Sequence, residues 1–111
     1  MDVNKIAQGQ LDAYNDQDIE DFLKFYSEDV EVYNFPYELL YKGKEIMREK
    51  YKTAWQQNPN QKAEVIERIS LGNTVIDKEH VTGRADGSIA NVIAVYKIKE
   101  DCICKVYFIR E

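Results

Sequence analysis

The chain has 111 residues, 44% of them hydrophobic and 32% charged, a composition that fits one globular domain over 1–111 and excludes disordered, fibrous and two-domain organisations. Its formal net charge of −5, with no block of Lys or Arg, speaks against a nucleic-acid partner. No apolar run approaches the roughly 18 residues of a membrane span, and the opening Met1-Asp-Val-Asn-Lys5 lacks the basic start and apolar region of a signal peptide, so a cytoplasmic protein without a membrane partner is expected.

Apolar residues at Val3, Ile6, Ala7, Leu11 and Tyr14 repeat at the spacing of an amphipathic helix, and the gap in that stripe is filled by Gln10. A polar amide on the core-facing side either sits at the edge of the stripe and reaches water or looks into a cavity. Asn15-Asp-Gln17 stops this helix, and Asp18 is placed to cap a second one with Asp21 near its positive end. Ile19, Phe22, Leu23 and Tyr26 then mark the buried side of that second helix, which Ser27-Glu-Asp29 ends. Val30 to Phe35 alternates as a strand until Pro36 closes it, and Leu39-Leu-Tyr41 reads as a short partner strand. Gly43 introduces a third helix with Met47, Tyr51, Ala54 and Trp55 on its buried side, and Asn58-Pro-Asn60 terminates it. Lys42, Lys44, Arg48, Lys50 and Lys52 interleave with Glu45 and Glu49, the pattern of a solvated helix face.

Residues 62–111 read as four successive long strands. Gly72-Asn73, Asp86-Gly87 and Glu100-Asp101 break the β-favouring runs as tight turns, which makes the strands antiparallel neighbours in a meander. Strands of about ten residues coil strongly and can curl around something. The class is α+β, three N-terminal helices packed on a strongly curved, mostly antiparallel sheet. Cys102 and Cys104 lie two apart on one strand with parallel side chains, which disfavours a mutual disulfide; small buried residues in a reducing compartment are expected. No second cysteine pair exists and the only histidine, His80, is distant in sequence, so neither a metal nor another cofactor is expected.

The run from Ala13 to Tyr33 (Ala-Tyr-Asn-Asp-Gln-Asp-Ile-Glu-Asp-Phe-Leu-Lys-Phe-Tyr-Ser-Glu-Asp-Val-Glu-Val-Tyr) and the closing Ile103-Cys-Lys-Val-Tyr-Phe108 resemble the nuclear transport factor 2-like superfamily, as does the element order of nearly the whole chain. That superfamily includes ketosteroid isomerases, SnoaL-like polyketide cyclases and limonene epoxide hydrolases. The resemblance implies a cone, with the sheet wrapped around a pocket, and a homodimer formed through the outer face of the sheet. The catalytic carry-over mostly fails. The isomerases' oxyanion tyrosine falls on Gln10, their general-base aspartate on Phe35 beside Pro36, and their second oxyanion donor near Ala94. Without base and acid, steroid isomerisation by that mechanism is not expected. The epoxide hydrolase positions fall on Glu79, Val81 and Phe108, which lack the carboxylate pair that mechanism requires.

The same mapping turns Asp77, Glu79 and Val81 on one strand, and Val106 and Phe108 on the last, toward the pocket. Glu79 is the candidate catalytic acid or base, since a carboxylate in an aromatic-lined cavity is driven up in pKa by desolvation. The alternative is a solvated strand face where Asp77 and Glu79 pair with Lys78 or Arg84. His80 points to the side opposite Glu79. Tyr14, Tyr33, Tyr37, Tyr41 and Trp55 come from elements that surround the cone's mouth, and the candidate ligand-binding residues are Gln10, Tyr14, Tyr33, Phe35, Trp55, Val106 and Phe108. Three functions follow. The first is a protein that binds a small apolar or amphipathic molecule without transforming it, because the familiar catalytic positions carry Gln, Phe and Ala. The second is an enzyme of isomerase, cyclase or hydratase type using Glu79, with Gln10 and a tyrosine orienting the substrate. The third is a dimeric scaffold whose pocket is filled.

Overall fold

A computed structural model describes residues 1–111 in the order α1 (Val3–Asp16), α2 (Ile19–Leu23), β1 (Tyr26–Asn34), β2 (Glu38–Lys42), α3 (Lys44–Gln57), β3 (Lys62–Leu71), β4 (Thr74–Thr82), β5 (Ala90–Lys99) and β6 (Cys102–Arg110). Asp2 caps α1 by accepting from the amides of Asn4 and Lys5, and Asp18 caps α2 by accepting from the Asp21 amide at 3.1 Å. Both carboxylates satisfy donors that a helix start leaves free. Tyr26 departs from expectation: α2 ends at Leu23, and Tyr26 opens β1 opposite Ile103. The Ile103 amide donates to the Phe25 carbonyl at 2.8 Å, so strand pairing takes over where the helical spacing would continue.

All six strands form one sheet in the order β2-β1-β6-β5-β4-β3. The last four strands are antiparallel neighbours, as the turn chemistry requires, while β1 lies parallel to β6. Gly72 turns the β3–β4 hairpin at φ 58°, and Glu100 and Asp101 turn the β5–β6 hairpin at φ 53° and 63°. The β4–β5 connection is longer than the two-residue turn expected at Asp86-Gly87, spanning residues 83–89. Single-residue bulges interrupt the register at Val32/Tyr33, Val65/Glu67 and Lys97/Ile98, each adding bend and twist, and the β1–β6 pairing breaks more widely between Tyr26 and Glu31.

The helices cover the inner face of this bent sheet. Phe22 sits at the centre of an aromatic cluster, its ring 4.9 Å from Tyr26, 4.7 Å from Tyr51 and 5.5 Å from Trp55, with Val30, Val32, Ile98, Ile103 and Val106 beneath it. Cys102 and Cys104 are free and only half-buried, so the reading of them as buried residues is corrected: they lie toward the outer side, where no helix covers the sheet. No helix is long and apolar enough to cross a membrane.

Candidate functional site

A cavity of about 400 Å³ opens between the helices and the sheet. Leu40 and Tyr41 of β2 and Ala63 of β3 line the same space. Those strands are the two edges of the sheet, so the sheet must curl for both to face one cavity. The volume lies within the roughly 300–1,000 Å³ of small-molecule sites.

At its floor is Glu79 on β4, 9% exposed. A directional chain of hydrogen bonds leads to it. The Tyr26 hydroxyl donates to Gln10 Oε1 at 2.8 Å; Gln10 Nε2 donates to the Ala7 carbonyl at 3.1 Å and to the Tyr96 hydroxyl at 3.2 Å; Tyr96 in turn donates to Glu79 Oε2 at 3.2 Å. The Ala7 carbonyl can only accept, which fixes the orientation of the Gln10 amide and hence the direction of every bond after it. Tyr96 must therefore spend its proton on Glu79 Oε2. The other oxygen, Oε1, takes no hydrogen bond from the chain and is open to the cavity. When Glu79 is protonated, the proton belongs on Oε1, facing whatever occupies the cavity.

Burial, and after it the negative charge of Asp77, pushes Glu79 up to about 7, while the Tyr96 hydrogen bond and the more distant Arg68 charge pull the other way. Such a carboxyl is both a competent base and a competent acid near neutrality. Burial also drives the hydroxyls of Tyr26, Tyr51 and Tyr96 well above the usual phenol range, so they remain donors. Asp77, two residues earlier on the same face and 0% exposed, is differently placed: Arg68 of β3 grips it from Nε at 2.7 Å and from Nη2 at 3.0 Å, and Arg68 Nη1 also donates to Gln8. Neither carboxylate lies on a solvated face, which settles the alternative with Lys78 or Arg84 as partners. His80 points outward, half-exposed, with Nδ1 2.9 Å from Asn91 Oδ1.

Of the residues expected around the cavity, Glu79, Gln10, Tyr14, Trp55 and Phe108 line it together. Tyr33, Phe35 and Val106 do not. Tyr33 is stacked on Tyr107 at 4.9 Å on the outer face, because the pleat places it opposite in direction to its buried neighbour Val32. Phe35 is 57% exposed in the turn after β1, beyond the reach of the sheet's inner face. Val106 shares the inner side with Phe108 but is packed in the core below the cavity. Tyr37, also expected at the mouth, stands 90% exposed. Gln10 needs a correction of role: both its Nε2 hydrogens are engaged within the protein, so it orients Tyr96 rather than a ligand.

Sequence reasoning missed Tyr96, Tyr26 and Tyr51 as wall residues, and Lys50, Arg84 and Arg110 as cations bordering the cavity. Alternation along β5 (Val92, Ala94, Tyr96, Ile98) was a signal for Tyr96. Tyr26 was hidden by its false helical spacing. Arg84 is held by its loop: Gly83 adopts φ 77° with no room for a Cβ against the Asn60 carbonyl, and the Ala85 amide donates to Asn58 Oδ1 at 3.0 Å.

The sequence matches the family model of the SnoaL-like domain over residues 7–106. Among proteins of curated function none matches it. An uncharacterized cystatin-fold protein from Novosphingobium aromaticivorans superposes with a TM-score of 0.90 at 30% identity over 99% of each chain. A provisionally assigned polyketide cyclase from Sinorhizobium meliloti gives 0.81 at 18% identity, over 97% of this chain and 99% of that one. A provisionally assigned ketosteroid isomerase from Kribbella flavida gives 0.82 at 15%, over 98% and 77%. The last two likenesses establish the shared fold alone.

Proposed function

Because this chain belongs to the SnoaL-like family, whose fold is found in proteins assigned to cyclase and isomerase chemistry, we propose that it is a small acid–base enzyme that moves a proton on a largely apolar substrate. The observation that carries this reading is Glu79: a buried carboxyl with one oxygen tied to Tyr96 and the other open to a cavity of about 400 Å³. Oε1 takes a proton from a carbon beside a substrate carbonyl and returns it, as acid, at a second position. Tyr14 stands ready to steady the oxygen that gains charge, since its hydroxyl accepts from Gln61 and keeps its own proton free. Isomerase, cyclase and hydratase reactions all need this pair of roles. The volume weighs against the filled-scaffold reading.

The test begins with whatever small molecule native mass spectrometry finds bound to the purified protein. Incubated in D₂O, that molecule should acquire deuterium at a carbon next to its carbonyl, and Glu79→Gln should slow the exchange by about 10²–10⁴-fold. An exchange rate indifferent to the substitution removes Glu79 as proton carrier. A ligand that stays unlabelled throughout favours the second reading, binding without chemistry, which the apolar walls also suit.

We also propose that two copies associate through the outer face of the sheet. Leu39, Tyr33, Tyr107, Val95, Ile76 and Ile69 stand opposite one another strand by strand, an apolar row across all six strands. Sedimentation velocity should show a dimer that Ile76→Lys converts to monomer; a wild-type monomer at micromolar concentration sinks the proposal.

A further inference from the structure

The three cations that border the cavity are unusual in a chain of net charge −5. Lys50 comes from α3, Arg84 from the loop after β4, and Arg110 from the end of β6. They converge on the cavity from separate parts of the fold, and the only acid among its lining residues is Glu79. The chain has four arginines. Arg48 and Arg68 hold carboxylates in ion pairs, whereas Arg84 and Arg110 have none and both reach the cavity. Asp86 lends Arg84 some compensating charge, but its carboxylate is occupied by the Ser88 amide at 2.8 Å and makes no ion pair. Lys50 likewise makes no ion pair; its ammonium lies over the Tyr41 ring at 5.3 Å. The guanidinium of Arg110 lies over Phe108 at 4.6 Å and donates to Asn34 Oδ1 at 2.7 Å. Two of the three charged heads are thus seated on aromatic rings that themselves wall the cavity, with donors left over.

Resting on the reading of this cavity as a substrate site, we infer that it takes a small organic anion, an apolar body ending in a carboxylate or phosphate. The charged end docks at the mouth among Arg84, Arg110 and Lys50, and the apolar end lies against Tyr51, Trp55 and Phe108 with its reactive carbon toward Glu79. Guanidinium forks suit oxyanions because they offer paired N–H donors in one plane. The arrangement also separates the two negative groups, ligand and Glu79, to opposite ends of the cavity.

The test uses matched pairs of aromatic and medium-chain compounds, each carboxylic acid beside its primary amide and each monophosphate beside its parent alcohol, titrated into the full-length protein and read by calorimetry and by the fluorescence of Trp55, the chain's single tryptophan. Wild type should bind the anions at least about tenfold tighter than their neutral partners. The double variant Arg84→Gln/Arg110→Gln should erase that preference while leaving the affinity for the neutral partners within about twofold. Whether carboxylates or phosphates show the larger preference identifies the ligand's charged group. Both arginines are exposed and outside the core, so the variant should fold. Lys52→Gln/Lys99→Gln, which removes two charges elsewhere, controls for net charge and should keep the preference. Equal binding of anions and neutrals, or a preference that survives loss of both arginines, overturns the anion inference and leaves the cavity reading standing. Failure of every compound to bind overturns both.

Discussion

Asp77 and Glu79 sit two residues apart on one strand, face the same side and are both buried, yet the fold treats them in opposite ways. Asp77 lies at the closed end of the inner face, where Arg68 on the neighbouring strand returns a full positive charge through two hydrogen bonds. Glu79 lies at the open end, where β3 offers Val65 as its partner across the ladder and the nearest polar group is a neutral phenol. One carboxylate is neutralised by the structure; the other is left to be neutralised by a proton. An interior site that supplies no counter-charge to an acid is costly for stability, and that cost is the sort a protein carries where chemistry needs a titrating group.

Removing the countercharge should break the contrast most severely. Arg68→Met leaves Asp77 inside the sheet with no cation, and the expected loss is about 3–5 kcal/mol of unfolding free energy, toward the lower end because the Arg68 side chain keeps 18% of its surface exposed. Urea denaturation at neutral pH measures it. Adding Asp77→Leu to Arg68→Met should restore most of the loss, since replacing both members of a buried pair with apolar groups is far less damaging than orphaning one. A single variant that unfolds at the wild-type midpoint would show that the ion pair is incidental and that the comparison has no basis.

Much of this was legible in the chain because it rests on local chemistry. The Gly72 and Glu100-Asp101 turns announce the meander, Asp18 announces a helix start, and Gln10 announces itself as a polar residue in an apolar stripe. Alternation places Glu79 and His80 on opposite faces, and the family resemblance is what turns Glu79 to the inner one. What remained hidden depends on distant strands. The partner of Asp77 is fixed by the β3–β4 register beyond a bulge at Val65/Glu67, and a bulge shifts which residue stands opposite which. Tyr33 depends on which face of β1 turns inward: Val32 takes the inner side, so its neighbour takes the outer one. The arginines at the cavity mouth come from a loop and a strand end, where no periodicity constrains direction. Tyr26 shows a tertiary contact overriding local spacing, since pairing with Ile103 ends the helix that its spacing supports.

A smaller and finer test of the contrast comes from pH. Glu79 titrates at about 7 in the folded chain, against 4.5 for the unperturbed group. Between those values the folded state binds a proton that the unfolded state has lost, so stability must fall as pH rises through this window. Below it both states are protonated and no penalty exists; above about 7 the penalty is complete. At roughly 1.4 kcal/mol per unit the decline amounts to about 3–3.5 kcal/mol. The other carboxyls with resolved shifts, Glu31 and Asp86, are lowered and act at more acid pH, and the shifted tyrosines act above the phenol range, so none of them confuses the interval. Thermal or urea unfolding from pH 4.5 to 8 should therefore show wild type weakening while Glu79→Gln stays level across the Glu79 window. At pH 8 the variant should be the more stable of the two, because Gln accepts the Tyr96 hydrogen bond without bringing a charge. A wild-type profile as flat as the variant's would mean that Glu79 reaches water or a countercharge after all, and the carboxyl would lose its distinction from Asp77.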